Sequence, residues 1–366
     1  MASEINSISP RAQWISFFLI GCLSMLYAEL FSGASRLWFV DFWSLIVVFP
    51  LYMVHVLFFF NLALLTRRTS PLHLYIWGML FALYESWVTQ VLWVGYSAQE
   101  PLVRTFLGIG IGEFLALVLF WHPLLSFILP IFVFELLVLS VQSEEPLNQR
   151  VLPTHVPFLV KTKFNRRYLL SFYVIGSIFI AANYQGNLFL VVTALGGTYG
   201  LIYILYRLAR KHQFSVYSLR VTNKGLMLMV TYILLLYVVM VVGLGYFQGR
   251  IPGALPVITT FILYGVFGWL VMYSKPAAES VEIPPHIVAH RIALSDYKRL
   301  VYLNLILASA LCIVYYFIPS LVAGALVFFY VTMCVIGCYI FYRVILLRNK
   351  QTQESLEKRY RTMEFT

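Results

Sequence analysis

The run Phe106-Leu-Gly-Ile-Gly-Ile-Gly-Glu113-Phe-Leu-Ala-Leu-Val-Leu-Phe-Trp121-His-Pro-Leu-Leu-Ser-Phe-Ile-Leu-Pro130-Ile-Phe-Val-Phe-Glu135-Leu-Leu-Val-Leu-Ser-Val141 decides how this chain is threaded. A bilayer crossing takes roughly 20 apolar residues. The run is 36 residues long, too much for one crossing, and its only interruption is Trp121-His122-Pro123. Two short spans, or one span with a re-entrant segment, both satisfy it. The choice sets the parity of every helix that precedes it.

Elsewhere the class is plain. Of 366 residues, 61% are hydrophobic and 11% charged, with a mean hydropathy of +0.83; a soluble domain carries about 25% charged residues. Apolar runs bounded by charge or by Pro/Gly turns predict spans at 14–32, 43–65, 73–95, 106–121, 124–141, 168–182, 188–207, 226–247, 256–274, 300–317 and 320–343. The reading is an all-α polytopic transmembrane helical bundle of about 11 spans, with 10 plus a re-entrant segment as the alternative. Its organisation is an N-terminal bundle at 1–145, three helical hairpins at 146–345 and a basic tail at 346–366. The first span reads as an uncleaved signal anchor, because Glu29 interrupts its apolar core.

Segments 150–167, 207–224 and 275–299 and the tail from Arg343 hold 20 of the 26 Lys and Arg. The positive-inside rule therefore predicts a cytoplasmic C-terminus in the plasma (cell) membrane. Eleven crossings leave Arg11, Arg67 and Arg68 on the opposite side, whereas ten bring them inside. Eleven is preferred because the later loops carry more charge.

The N-terminal half concentrates unusual residues at membrane depth: Glu29, His55, Glu85, Glu113 and Glu135. An ionised acid at mid-bilayer costs on the order of 3 kcal/mol, so the four acids require protons, partners or a ligand. With eleven crossings all four acids fall roughly 5–15 Å deep in one leaflet. Gly78, Ala82, Ser86 and Thr89 give Glu85 a small, polar flank that predicts helix contact. Gly108, Gly112 and Ala116 predict another close approach beside Glu113. Pro130 is expected to free the carbonyl of Ser126. His122, half a turn out of phase with Glu113, reads as a turn or interface residue. His286 and His290, at i and i+4 after Pro284-Pro285, form a weak metal candidate; an amphipathic interfacial helix is the alternative. Cys22, Cys312, Cys334 and Cys338 read as buried thiols and form no Cys-x-x-Cys motif.

The phrasing around Glu29-Leu-Phe-Ser-Gly33, Leu83-Tyr-Glu-Ser-Trp87 and Glu113 to Glu135 resembles an uncharacterised prokaryotic polytopic membrane-protein family of no assigned activity, over about the first 140 residues. The resemblance implies a membrane bundle and no chemistry. No nucleotide loop, zincin or nucleophile-elbow motif is present, so no cofactor is identified. The residues favour a transporter or channel using the glutamates for a proton or cation. An intramembrane metal-dependent enzyme acting on a lipid or hydrophobic substrate, or a structural subunit of a membrane complex, are the alternatives. Expected partners are anionic lipid headgroups, a proton or small cation, and further copies of the chain. Nucleic acid is not needed to explain a net charge of +11.

Overall fold

The computed structural model describes residues 9–96, 100–143, 145–212, 214–277, 283–284, 287, 289–347, 358, 360 and 363. Ten long helices account for most of them: α1 Pro10–Leu30, α2 Ser44–Leu65, α3 Pro71–Thr89, α4 Ile111–Leu139, α5 Lys163–Asn183, α6 Leu188–Arg210, α7 Asn223–Gly243, α8 Ala254–Tyr273, α9 Leu294–Phe317 and α10 Pro319–Leu347. Eight are long and apolar enough to cross a membrane; α3 and α5 are of comparable length. Local signals set their starts. Ser9, Thr162, Asn187 and Thr222 each accept a hydrogen bond from a backbone N–H three residues on, and Pro10 and Pro71 occupy first turns.

The deciding run forms one helix, not the two spans expected at 106–121 and 124–141. Its beginning stays outside that helix. Thr105–Phe106 (β1) and Ile109–Gly110 (β2) pair antiparallel, and Leu107 (φ 50°) and Gly108 (φ 79°) make the two left-handed residues of the turn. The Gly108–Gly112 stretch, read as a packing ridge inside a span, is therefore mostly a hairpin turn.

The Trp121-His122-Pro123 break is absorbed by loosened winding. From Phe114 to Ile128 the turns widen to i→i+5 closure with Pro123 inside. Pro123 has no N–H for the preceding turn; the wide turns pass over it, and the Tyr75 hydroxyl donates to the nearby Leu119 carbonyl at 2.6 Å. The Ser126 carbonyl, expected to be freed by Pro130, accepts from the Ser24 hydroxyl at 2.8 Å. Neighbouring helices thus satisfy the backbone that proline opens. Tyr75→Phe is expected to lower unfolding free energy by about 1 kcal/mol; an unchanged thermal midpoint in detergent would show that the Leu119 carbonyl needs no donor.

Helix α4 is the central element. In its most apolar stretch 83% of the residues are buried, against 17% for α7, α9 and α10. Large apolar side chains on the latter helices, such as Leu234, Leu235, Ile306 and Phe328, point outward, the arrangement a lipid solvent favours.

A single helix at 111–139 also changes the parity. Loops that alternate along the chain meet at two faces. On one face Ala277 N–H donates to Arg67 O, Lys161 N–H to His290 O and Val216 N–H to Arg150 O, while the Gln13 side chain reaches Arg220 O. On the other face Asn183 Nδ2 donates to Ser32 O and Thr259 Oγ1 to Leu107 O. Sequence at or beyond the helix ends of the first face carries 23 of the 26 Lys and Arg; Arg36, Arg104 and Arg250 are the remainder. Arg11, Arg67 and Arg68 join the basic face, and the conflict posed by eleven crossings disappears.

Candidate functional site

The same correction rearranges the acids. Glu113 and Glu135 sit near opposite ends of α4, roughly 30 Å apart at 1.5 Å per residue. The single-leaflet cluster expected from the sequence is instead three separate arrangements.

The first surrounds a cavity of about 490 Å³ at the weakly charged face. Glu29 and Glu85 line its depth, together with Tyr52, Trp121 and His122. Glu29 belongs to Leu26–Leu30, where α1 also widens to i→i+5 turns. Its carbonyl accepts from Ala34 N–H, which folds the chain back and brings Ser35 beside the side chain. Ser35 Oγ donates to one carboxylate oxygen at 2.5 Å and Tyr52 OH to the other at 2.6 Å. Glu29 is therefore fully engaged.

Glu85 is not. Its Oε2 lies 2.9 Å from His122 Nε2, yet this ion-pair contact is not aligned as a hydrogen bond, and Oε2 has no aligned donor. A buried acceptor without a donor, on the wall of a cavity, is a place for a proton or a cationic group. His122 is itself fixed by Ser126 Oγ, 2.9 Å from Nδ1, so Nε2 is the nitrogen presented to Glu85. The order Glu85–His122–Ser126 resembles a nucleophile triad. Ser126 is fully buried and off the cavity wall, however, so its hydroxyl orients the imidazole.

Close approach of α3 and α4 makes this pairing possible. A Cβ on Gly78 would meet Pro123 Cα at 2.6 Å, so the absent side chain lets the helices touch one residue from His122. Gly78 of the small flank predicted on α3 thus packs against a helix, whereas Thr89 of that flank is exposed on the cavity wall. At the mouth stand Arg250, Tyr96 and Tyr330, and Tyr96 and Tyr330 hydroxyls lie 3.3 Å apart.

Glu113 forms the second arrangement. It is fully buried, and Oε1 accepts from Leu102 N–H at 2.8 Å. Leu102 lines the cavity and Glu113 does not, so this acid holds the loop that borders the mouth. The third lies at the basic face. Glu135 Oε2 is 2.6 Å from His155 Nδ1, Oε1 accepts from Leu152 N–H at 2.8 Å, and His155 Nε2 is 2.6 Å from Thr69 O. All of it is buried.

His55 belongs to none of the three. Its Nδ1 contacts Leu51 O at 2.5 Å, and its ring lies 4.1 Å from that of Tyr84 and 5.3 Å from that of Phe81. It is an aromatic core residue.

Two histidines escaped the sequence reading for different reasons. His122 was placed by phase against Glu113 on an ideal helix, but its partner is on α3 and the wide turns alter the phase. His155 lies in a loop with no periodic signal at all. Of the weak metal candidates, His286 lies outside the described residues, and His290 is exposed in the loop before α9, where its carbonyl accepts from Lys161 N–H. Among the described residues no three His, Cys, Asp or Glu side chains converge to hold a metal. All four cysteines are free thiols; Cys22 and Cys312 are buried, whereas Cys334 is partly exposed and Cys338 exposed.

Helical spans, an apolar exterior and a cavity whose largely apolar wall carries Glu29, Glu85 and His122 define a polytopic helical membrane protein. The chain belongs to an uncharacterised membrane protein family, whose model matches residues 18–351. It is also similar to an uncharacterised protein of the archaeon Archaeoglobus fulgidus, 35% identical over 144 residues, covering 37% of this chain and 44% of that relative. No solved structure matches the chain.

Proposed function

We propose that the protein is a proton- or cation-coupled carrier whose binding site is the Glu29–Glu85–His122 cavity. The observation that carries this is the unsatisfied Glu85 Oε2, 2.9 Å from His122 Nε2 on the wall of a cavity of about 490 Å³. Glu85 and His122 would exchange a proton with a cationic or hydrogen-bonding group of the solute. Glu29, already holding two hydroxyl donors, would supply the second negative charge. Intramembrane ionisable residues facing a cavity commonly mark such pathways.

The charge distribution supports an orientation. By the positive-inside rule the basic face is cytoplasmic and the cavity opens outward, in the cell membrane. Hydrogen-bonded loops and the Glu135–His155 contact close the cytoplasmic side. One open face and one sealed face is the form a carrier adopts between exchanges of access.

The decisive measurement is charge displacement after an acid jump on proteoliposomes adsorbed to a sensor. Wild-type protein is expected to give a transient that Glu85→Gln abolishes, while Gly196→Val, where nothing lies within 4 Å of the added Cβ, keeps it. A full transient in Glu85→Gln overturns the assignment. A second reading has its own observation: Glu85 and an oriented His122 beside Leu117, Phe179, Leu326 and Met333 could serve as acid–base pair for a hydrophobic substrate. The enzyme would turn over substrate and show no displacement in bare lipid.

A further inference from the structure

A second cavity, of about 370 Å³, lies at the basic face between the end of α4 and the approach to α9. Arg150 and Arg291 line it, with Leu139, Val141 and Leu147 on the apolar wall and Glu145 at the rim. None of these residues enters the carrier site.

Arg150 is 6% exposed. Its Nη2 donates to the carbonyls of Val138 and Val141, closing the C-terminal end of α4. The other guanidinium N–H groups make no hydrogen bond among the described residues. Arg291 is half-buried and tied through its backbone, which bridges to Val160; its guanidinium has no hydrogen-bonded or ion-paired partner there. Neighbouring cations are treated differently. Lys161 has Asp296 at 3.2 Å, whereas neither arginine has a carboxylate within ion-pair distance among the described residues. Burial pushes Arg150 below the usual arginine pKa; exposed Glu145 works against that shift and Arg291 adds to it.

Two guanidinium groups sharing a recess with so little counter-charge are complete only with an anion. Arginine forks match the oxygens of a phosphate group. Beyond this wall Ile283 and Ile287 close the recess together with Leu139, Leu147 and Arg291, leaving a slot of only about 10 Å³. A cationic recess at the membrane interface suits a phosphate group, from a lipid headgroup or free in solution.

We infer that Arg150 and Arg291 form a binding site for a phosphate group at the basic face, separate from the carrier cavity. The full chain, purified in detergent, would be examined by native mass spectrometry with phosphatidylglycerol or phosphatidylcholine. Thermal unfolding with inorganic phosphate would be followed in parallel. Arg291→Gln is the informative variant, because Arg150 also closes a helix and its loss could unfold the protein.

Retention of phosphatidylglycerol over phosphatidylcholine, weakened about tenfold in Arg291→Gln, is the result expected for a lipid phosphate. A stabilising shift with inorganic phosphate alone, absent in Arg291→Gln, supports the site with a free phosphate as its ligand. Equal retention of both lipids with no phosphate shift overturns the inference, as does any binding that Arg291→Gln leaves unchanged. The Glu85→Gln transient is independent of all these outcomes, so failure of one proposal leaves the other standing.

Discussion

Replacing Glu135 with alanine is expected to lower the unfolding free energy by about 3–5 kcal/mol, the range for removing one partner of a buried ionic pair. The reason lies in the proton inventory. Both imidazole nitrogens of His155 face acceptors, Glu135 Oε2 at 2.6 Å and Thr69 O at 2.6 Å. A neutral imidazole donates only once, so the trio holds either an imidazolium beside a carboxylate or a neutral imidazole beside a carboxylic acid. Truncating Glu135 strands His155 Nδ1 and the Leu152 N–H in a fully buried space, and three segments lose their common anchor: α4, the loop before α5 and the loop before α3. His155→Ala is expected to cost a similar amount, with the double variant well short of the sum because both changes break one network. Thermal unfolding of the detergent-solubilised protein reads this directly. A midpoint that stays put in Glu135→Ala would mean the contact contributes nothing to holding the basic face closed.

Gly78→Val should be the most damaging change to the carrier site itself. Its new Cβ would stand 2.6 Å from a backbone atom, Pro123 Cα, with Pro123 Cβ and O at 3.1 and 3.3 Å. No side-chain rotation relieves that, so α3 and α4 must separate. Overpacking of this kind costs about 1–3 kcal/mol and occasionally more, and here it also draws His122 away from Glu85. The charge-displacement transient should fall with the thermal midpoint. Gly196→Val is the matched control, because nothing lies within 4 Å of that Cβ position. Equal midpoints and transients in the two variants would sink the claim that the Gly78–Pro123 contact sets the pair.

These two positions show how far the sequence carries. Gly78 was legible: a small residue in register with Glu85 predicts a close helix neighbour, and the neighbour is there. Pro130 was legible too: it predicts an opened carbonyl at Ser126, and that carbonyl takes a hydroxyl donor from α1. Glu135 was legible only as an acid needing a partner. The partner, His155, is twenty residues away in a loop, where no helical period relates the two. The expected clustering of Glu135 with Glu85 followed from a crossing count that local sequence underdetermines.

What the sequence determined by itself was the solvent of the fold. Its apolar composition and proline-punctuated runs force a helical bundle in lipid, since backbone polar groups have no other way to be satisfied there. Its charge pattern, in Arg11, Arg67 and Arg68, already pointed to the even number of long helices that the structure has. What only the tertiary structure decided was whether Pro123 ends a helix or is accommodated within one. Wide i→i+5 turns carry the chain through Pro123, and they are held by neighbours: Tyr75 donates to the Leu119 carbonyl and Gly78 lets α3 lie directly on Pro123. A kinked helix and a broken one differ by whether such neighbours are in reach, and reach is a property of packing, not of the run that contains the proline. The unbroken helix places Glu113 and Glu135 near opposite ends of α4, and the close α3–α4 contact leaves Glu85 facing His122.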